Sequence, residues 1–160
     1  MSKPPGPCSK CQGQMTVSRL ESFSGEEAGL KVTILAMPAL VCGQGHKRFI
    51  YPLLGGLLMD IATDQDNYQA VPGAVKKGLF TKHYLCPGCA IELPLTPTGH
   101  QSRELEAKFD HVDPFKIVIE FPVYRCSGCG KESIHSVEET GKLAKSAIVH
   151  AFRGTDIHPT

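Results

Sequence analysis

The sequence predicts an α+β chain of two tandem zinc-ribbon units, each a small antiparallel sheet followed by a helix. Three observations predict it: cysteines paired at a fixed spacing, a segment that occurs twice, and a helix candidate behind each copy.

Of the seven cysteines, six fall in Cys-x-x-Cys pairs: Cys8 with Cys11, Cys86 with Cys89, and Cys126 with Cys129. Two intervening residues let one small loop present both sulfurs to the same metal, and a tetrahedral zinc ion takes four thiolate or imidazole ligands. Cys86-Pro-Gly-Cys89 and Cys126-Ser-Gly-Cys129-Gly130, with 36 strand-like and turn-like residues between them, read as a zinc ribbon. Cys42 is left over, and an odd count is a poor match to a secreted disulfide framework. Met1 to Cys8 holds no apolar run of signal-peptide length, and no later run reaches a membrane span. A reducing cytoplasm, with no membrane association, is the expectation.

Taken in order, the Cys8-Ser-Lys-Cys11 knuckle follows a Pro/Gly-rich leader. Met15 to Leu20 has strand character, and Ser22 to Gly29 reads as a turn-rich loop. Leu30 to His46 then has a twin in Phe115 to Cys129, aligned with a one-residue gap: Lys31 matches Lys116, Ile34 matches Ile119, and a proline stands four residues before Cys42 and Cys126 alike. Each copy follows a Cys-x-x-Cys, with 30 residues between Cys11 and Cys42 and 36 between Cys89 and Cys126. A duplicated unit of knuckle, hairpin, knuckle and trailing segment accounts for both halves. It assigns Cys8, Cys11, Cys42 and His46 to one zinc ion and Cys86, Cys89, Cys126 and Cys129 to a second, two per chain. The first set is the less regular, because Gly45 aligns with Cys129 and His46 lies one residue beyond. A longer imidazole arm makes up the offset; the alternatives are water or another residue such as His83 as fourth ligand.

Behind the first copy, Leu53 to Ala62 is a helix candidate whose only charge is Asp60. A short helix apolar around most of its girth is buried between the two units, or forms a homodimer or partner surface. Residues 64–78 turn polar and flexible, which places a boundary near Pro72. Residues 1–72 are then a first ribbon, with three cysteines and a histidine as ligands and the apolar helix behind it. Residues 73–160 are a second, with four cysteines and an amphipathic helix at the C-terminal end. Leu79 to Leu85 leads into the second unit. Leu105, Ala107 and Phe109 alternate as in a strand, with a short helix over 103–109 as the alternative. Ser136 followed by Glu139 forms a capping-box pattern, and Val137, Thr140, Leu143, Ala144, Ala147, Ile148, Ala151 and Phe152 keep helical spacing up to a stop at Arg153-Gly154.

With 160 residues, no tryptophan and few aromatics, each half has a thin core that a metal would staple. A closed four-thiolate shell leaves no coordination position for substrate, so the second site reads as structural. Pro7-Cys8-Ser-Lys-Cys11 matches half of a zinc deaminase signature, but only seven residues precede Cys8 and the upstream His-x-Glu has no room. There is no glycine-rich phosphate loop and no Gly-x-Ser-x-Gly elbow. Seventeen basic and 16 acidic side chains nearly cancel, a faint footprint for phosphate binding. Lys76, Lys77, Lys82, His83 and Tyr84, with Lys47 and Arg48, form the best basic cluster.

The pattern Cys-x-x-Cys, hairpin, proline four residues before the third cysteine, then Cys-x-x-Cys-Gly and a helix resembles the YgiT-type zinc fingers of bacteria, which include the N-terminal zinc domain of MqsA-type antitoxins. The resemblance is best over residues 86–152, at Pro122, Cys126, Cys129 and Gly130, and weaker over 8–62. In those antitoxins the zinc is structural, the zinc domain binds the toxin, and a separate helix-turn-helix domain binds DNA. No segment here is left over for such a domain. The resemblance therefore implies a tandem ribbon that binds a protein. The expected function is a non-catalytic, zinc-stabilised interaction module that binds a protein partner or itself. A nucleic-acid-binding ribbon is the alternative, and a hydrolase-type zinc enzyme with an open first site the third reading.

Overall fold

The computed structural model describes residues 5–79 and 82–160; residues 1–4, in the expected leader, and 80–81, in the expected lead-in to the second unit, lie outside the described residues. The chain is mixed α+β. In order it forms β1 (Met15–Arg19), β2 (Phe23–Glu27), β3 (Leu30–Leu35), β4 (Pro38–Cys42), β5 (Lys47–Arg48), α1 (Leu54–Thr63), a 3-10 turn (Gln65–Tyr68), β6 (Val75–Lys77), β7 (His83–Leu85), β8 (Gly99–Phe109), β9 (Val112–Arg125), β10 (Glu132–Ser133), α2 (Val137–Thr155) and β11 (Ile157–His158).

The two halves resemble each other in their strand pairing. In the first half β1 and β2 pair antiparallel with β4 and β3; in the second, β8 pairs with β9 along almost its whole length. The first hairpin is broken where the second runs straight through: β3 and β4 are separated at Ala36, a residue with φ of 56°, whereas β9 continues across the matching stretch. Short strands complete each half in the same way, β5 against β4 and β10 against β9.

The two copies also pair with each other. The shift that carries Lys31 onto Lys116 and Ile34 onto Ile119 carries Thr33 onto Val118, and Thr33 and Val118 are cross-strand partners where β3 runs antiparallel to β9. A local two-fold axis thus passes through that pair, and strands from both sides of Pro72 share the sheet β8-β9-β3-β2. Alternation along β3 and β9 sends Leu30, Val32 and Ile34, and Ile117, Ile119 and Phe121, to one face. That face meets Leu54, Leu58 and Ala62 of α1 and Ala144, Ala147 and Ile148 of α2 in one core drawn from both halves. Sheet plus two helices on one face is the ordinary way to bury such a stripe.

After each helix the chain crosses to the other half. Beyond α1, the Pro72 carbonyl accepts from the Ile134 N–H (3.0 Å) and Ala74 N–H donates back to Ile134 (2.8 Å), beside β10. Beyond α2, β11 runs parallel to β5 and the His158 carbonyl accepts from Phe49 N–H (3.0 Å). The halves are therefore interlaced.

Several local expectations change. Ser22 to Gly29 contains a strand, not only turns, because β2 finds a partner in β3 and lies directly under α2: a Cβ added at Gly25 would overlap the Ala147 carbonyl and the Ala151 nitrogen. Residues 99–109 form β8, which removes the short-helix alternative. Ser136 caps α2 by accepting from Glu139 N–H (3.2 Å), but the Glu139 carboxylate does not close the capping box; it accepts from the Tyr84 hydroxyl (2.8 Å) and Lys76 (3.2 Å). The helix ends at Thr155, beyond Gly154, with Asp156 in the left-handed conformation as its cap. On α1, Leu54, Gly55, Leu58 and Ala62 are buried, while Leu57 is 38% exposed and Leu53, its N-cap residue, 76%. The buried Tyr68 closes its last turn by donating to the Ala62 carbonyl (2.6 Å) and packs edge-on against Phe121. No helix among the described residues is long and apolar enough to cross a membrane.

Candidate metal centres

Each Cys-x-x-Cys closes on itself through its own backbone. Cys8 N–H donates to the Gly13 carbonyl and Gln12 N–H to the Cys8 carbonyl (both 2.8 Å); Cys86 with Ile91 and Ala90, and Cys126 with Lys131 and Gly130, repeat the arrangement. The tight turn needs a left-handed residue just after the second cysteine, and Gln12 (φ 61°), Ala90 (63°) and Gly130 (76°) supply it. The fourth knuckle is one residue shorter. Cys42 N–H donates to the His46 carbonyl, Gly45 N–H to the Cys42 carbonyl, and Gly45 (φ 86°) is its left-handed residue. Gly45 thus stands where Gly130 does, and His46 where Lys131 does: the residue deleted from this loop is the one that elsewhere carries the second cysteine.

The imidazole makes up the difference. His46 Nδ1 lies 3.5 Å from Cys8 Sγ and 3.4 Å from Cys42 Sγ, and Cys11 Sγ is 3.6 Å from Cys42 Sγ. In the other centre Cys86 Sγ and Cys129 Sγ are 3.5 Å apart, and Cys89 Sγ and Cys126 Sγ 3.3 Å. Within each quartet all four ligand atoms fall inside 4.8 Å of one another. Sulfurs on a tetrahedral ion with bonds near 2.3 Å stand about 3.8 Å apart, so both quartets have the size and donor chemistry of a four-coordinate shell for a single metal ion. The structure brings together all eight residues singled out by spacing, in the two sets assigned from the repeat. His83 is elsewhere, on β7, its Nδ1 2.6 Å from a Glu92 carboxylate oxygen.

In every knuckle the first cysteine is buried and the second ligand residue is the more exposed of the two. Cys8, Cys42, Cys86 and Cys126 are buried, Cys11 and His46 partly so, and Cys89 and Cys129 exposed. Three of these inner sulfurs, those of Cys42, Cys86 and Cys126, receive backbone donors that favour thiolate, the form that binds metal. Cys129 N–H is the main influence on Cys126, outweighing burial, and with the Cys89 sulfur and Gly128 N–H holds the thiol at about 6. Burial pushes Cys42 up, but the N–H groups of Gln44 and His46, with neighbouring sulfurs, bring it down to about 6. N–H groups of Cys89 and Gly88 likewise lower Cys86.

The surroundings differ. The Cys8/Cys42 centre sits on Met15 and Leu40 at the edge of the main fold, with Ile50 against them and β11 running alongside β5. The Cys86/Cys126 centre has a small cluster of its own, Tyr84, Leu93 and Tyr124. There His135 is sandwiched between Tyr84 (ring centroids 3.9 Å apart) and Tyr124 (3.6 Å), and burial lowers its pKa. This stack was not read from the sequence, although each tyrosine lies two residues before a ligand cysteine. Of the basic cluster, Lys76 and Lys82 both lie against Glu139 (3.2 and 3.8 Å), Lys47 donates to Thr155, and Arg48 donates to Gly6. Comparisons with family models, curated proteins and solved structures find no match to this chain.

Proposed function

We propose that this chain is a non-catalytic interaction module stapled by two zinc ions, one held by Cys8, Cys11, Cys42 and His46 and one by Cys86, Cys89, Cys126 and Cys129. The observation that carries it is the convergence of two complete four-ligand sets, each drawn from knuckles on both strands of one hairpin. Thiolate-rich tetrahedral sites select zinc or iron–sulfur chemistry over hard cations, and closed sets of this kind hold structure together. Each centre has a small cluster of its own beside the main core, so the ions tether the hairpin ends and their loops to the sheet.

The partner surface is the outer face of α1. Leu53 and Leu57 lie one turn apart there and are exposed, on a helix with no basic residue and Asp60 as its one acid. A second copy of the chain, or another protein with an apolar helix, fits it.

Elemental analysis of the purified chain is expected to give two zinc ions; one ion would remove the Cys8/His46 set, and none would end the reading. Replacing Leu57 with aspartate is expected to shift the sedimentation coefficient of a self-associated form or abolish capture of a protein partner, with zinc content unchanged. Tight, salt-sensitive binding to nucleic acid at low ionic strength, with no protein association, would overturn it.

A further inference from the structure

We propose that the Cys86/Cys89/Cys126/Cys129 centre is a modification site for two-electron oxidants such as hydrogen peroxide, at which one exposed and one buried cysteine join in a disulfide across the two knuckles and the metal is released. It rests on the reading that both quartets hold zinc. Three observations carry it. Cys89 and Cys129 are exposed residues, so two of the four ligands border solvent, whereas in the other centre Cys8 and Cys42 are buried, Cys11 is partly buried and the fourth ligand is an imidazole. The sulfur of each exposed cysteine has that of a buried cysteine beside it on the opposite knuckle: Cys126 Sγ is 3.3 Å from Cys89 Sγ, and Cys86 Sγ is 3.5 Å from Cys129 Sγ. The residues around this centre form a separate apolar cluster, so opening it leaves the main core intact.

The chemistry closes with peroxide as the oxidant. Coordination would keep Cys89 deprotonated, and its thiolate attacks one peroxide oxygen; an S–O bond forms as the O–O bond breaks, and the departing hydroxide takes a proton from solvent. The Cys126 thiolate then attacks the sulfenic sulfur, an S–S bond forms as the S–O bond breaks, and a second hydroxide leaves and is protonated. Two thiolates lose two electrons and peroxide becomes two waters. Cys129 and Cys86 offer the same sequence of steps. With two of its four ligands gone, the ion is lost, and residues 86–95 and 126–133 are freed from their tether.

The test uses the full zinc-loaded chain, its zinc measured first, then treated with hydrogen peroxide beside a chromophoric zinc chelator. One of two equivalents is expected to leave about tenfold or more faster than the other, following thiolate exposure. Peptide mapping is expected to find Cys89–Cys126 or Cys86–Cys129 linked, with Cys8, Cys11 and Cys42 still reduced. Simultaneous release of both ions, release from the Cys8 centre first, or a Cys86–Cys89 disulfide overturns the proposal. A chain with no zinc at this centre before oxidant overturns the zinc reading as well, which separates the two failures. A Cys89→His, Cys129→His double variant is expected to release zinc more slowly; should it not retain zinc, the map of the unaltered chain decides.

Discussion

The two halves of this chain follow one plan and differ in how far each is drawn into the whole. The first hairpin is broken at Ala36, and its candidate metal centre is flanked by β11 returning from the far end of the chain. The second hairpin runs unbroken as β8 and β9 and carries its centre outward on a small cluster of its own. The knuckles share one pattern of hydrogen bonds, so the difference arises from what surrounds them. The same local chemistry is thereby given two environments, one sheltered and one open to solvent.

The sharpest way to break this comparison is to remove one ion at a time. Cys42→Ser and Cys126→Ser are each expected to lose one zinc of two by elemental analysis, and a structural zinc contributes on the order of 10 kcal/mol of apparent binding free energy. Because β4 and β5 are tied to β11, the Cys42 change should lower the main thermal transition, whereas the Cys126 change should chiefly speed amide exchange in residues 86–95 and 126–133. Equal effects on the main transition would mean that the two environments are not distinct.

Next in size are Ile34→Ala and Ile119→Ala, which delete matched core residues on either side of the local two-fold axis. Each is expected to cost about 2–5 kcal/mol in denaturant unfolding, and similar values would extend the symmetry from register to energetics. His46→Cys tests the shortened loop: a thiol at the position equivalent to Lys131 lacks the reach of an imidazole, so the variant should bind its first zinc more weakly in chelator competition, with the second unaffected. A gain in affinity would refute the account of the deleted residue.

The smallest effect is expected at Glu139, which belongs to the second half alone. Burial raises its pKa, but the Tyr84 hydroxyl and Lys76 lower it more, leaving it below the usual carboxylate value. A depressed folded-state value means that its stabilisation is present above the unfolded value of about 4.3 and fades as acid protonates the group. Glu139→Gln should therefore cost about 0.5–1 kcal/mol at neutral pH, discounted for partial exposure, and nothing below the folded-state pKa. Melting curves across that range measure it.

Much of the candidate site was legible because metal-ligand spacing is local: a Cys-x-x-Cys turn is specified by a handful of adjacent residues. His46 was legible through the repeat, although its true alignment with Lys131 required the backbone. Strand β2 was not, since Ser22 to Gly29 has turn composition and becomes a strand only when β3 and α2 lie against it. Nor was the carboxylate of Glu139, which the capping pattern directed to its own helix and the fold directs to Tyr84 and Lys76. Pairing of β3 with β9 is non-local, and no short window of sequence encodes it.

The exchange of segments after each helix bears on what happens when the backbone is severed. A chain nicked between Lys77 and Lys82 should remain assembled on a sizing column, since Gly73 stays paired beside Ile134 and Ile157 beside Lys47. Either fragment alone would present the bare long edge of β3 or β9 and should recover its shape only when mixed with the other, as two clasped hands hold without a shared arm.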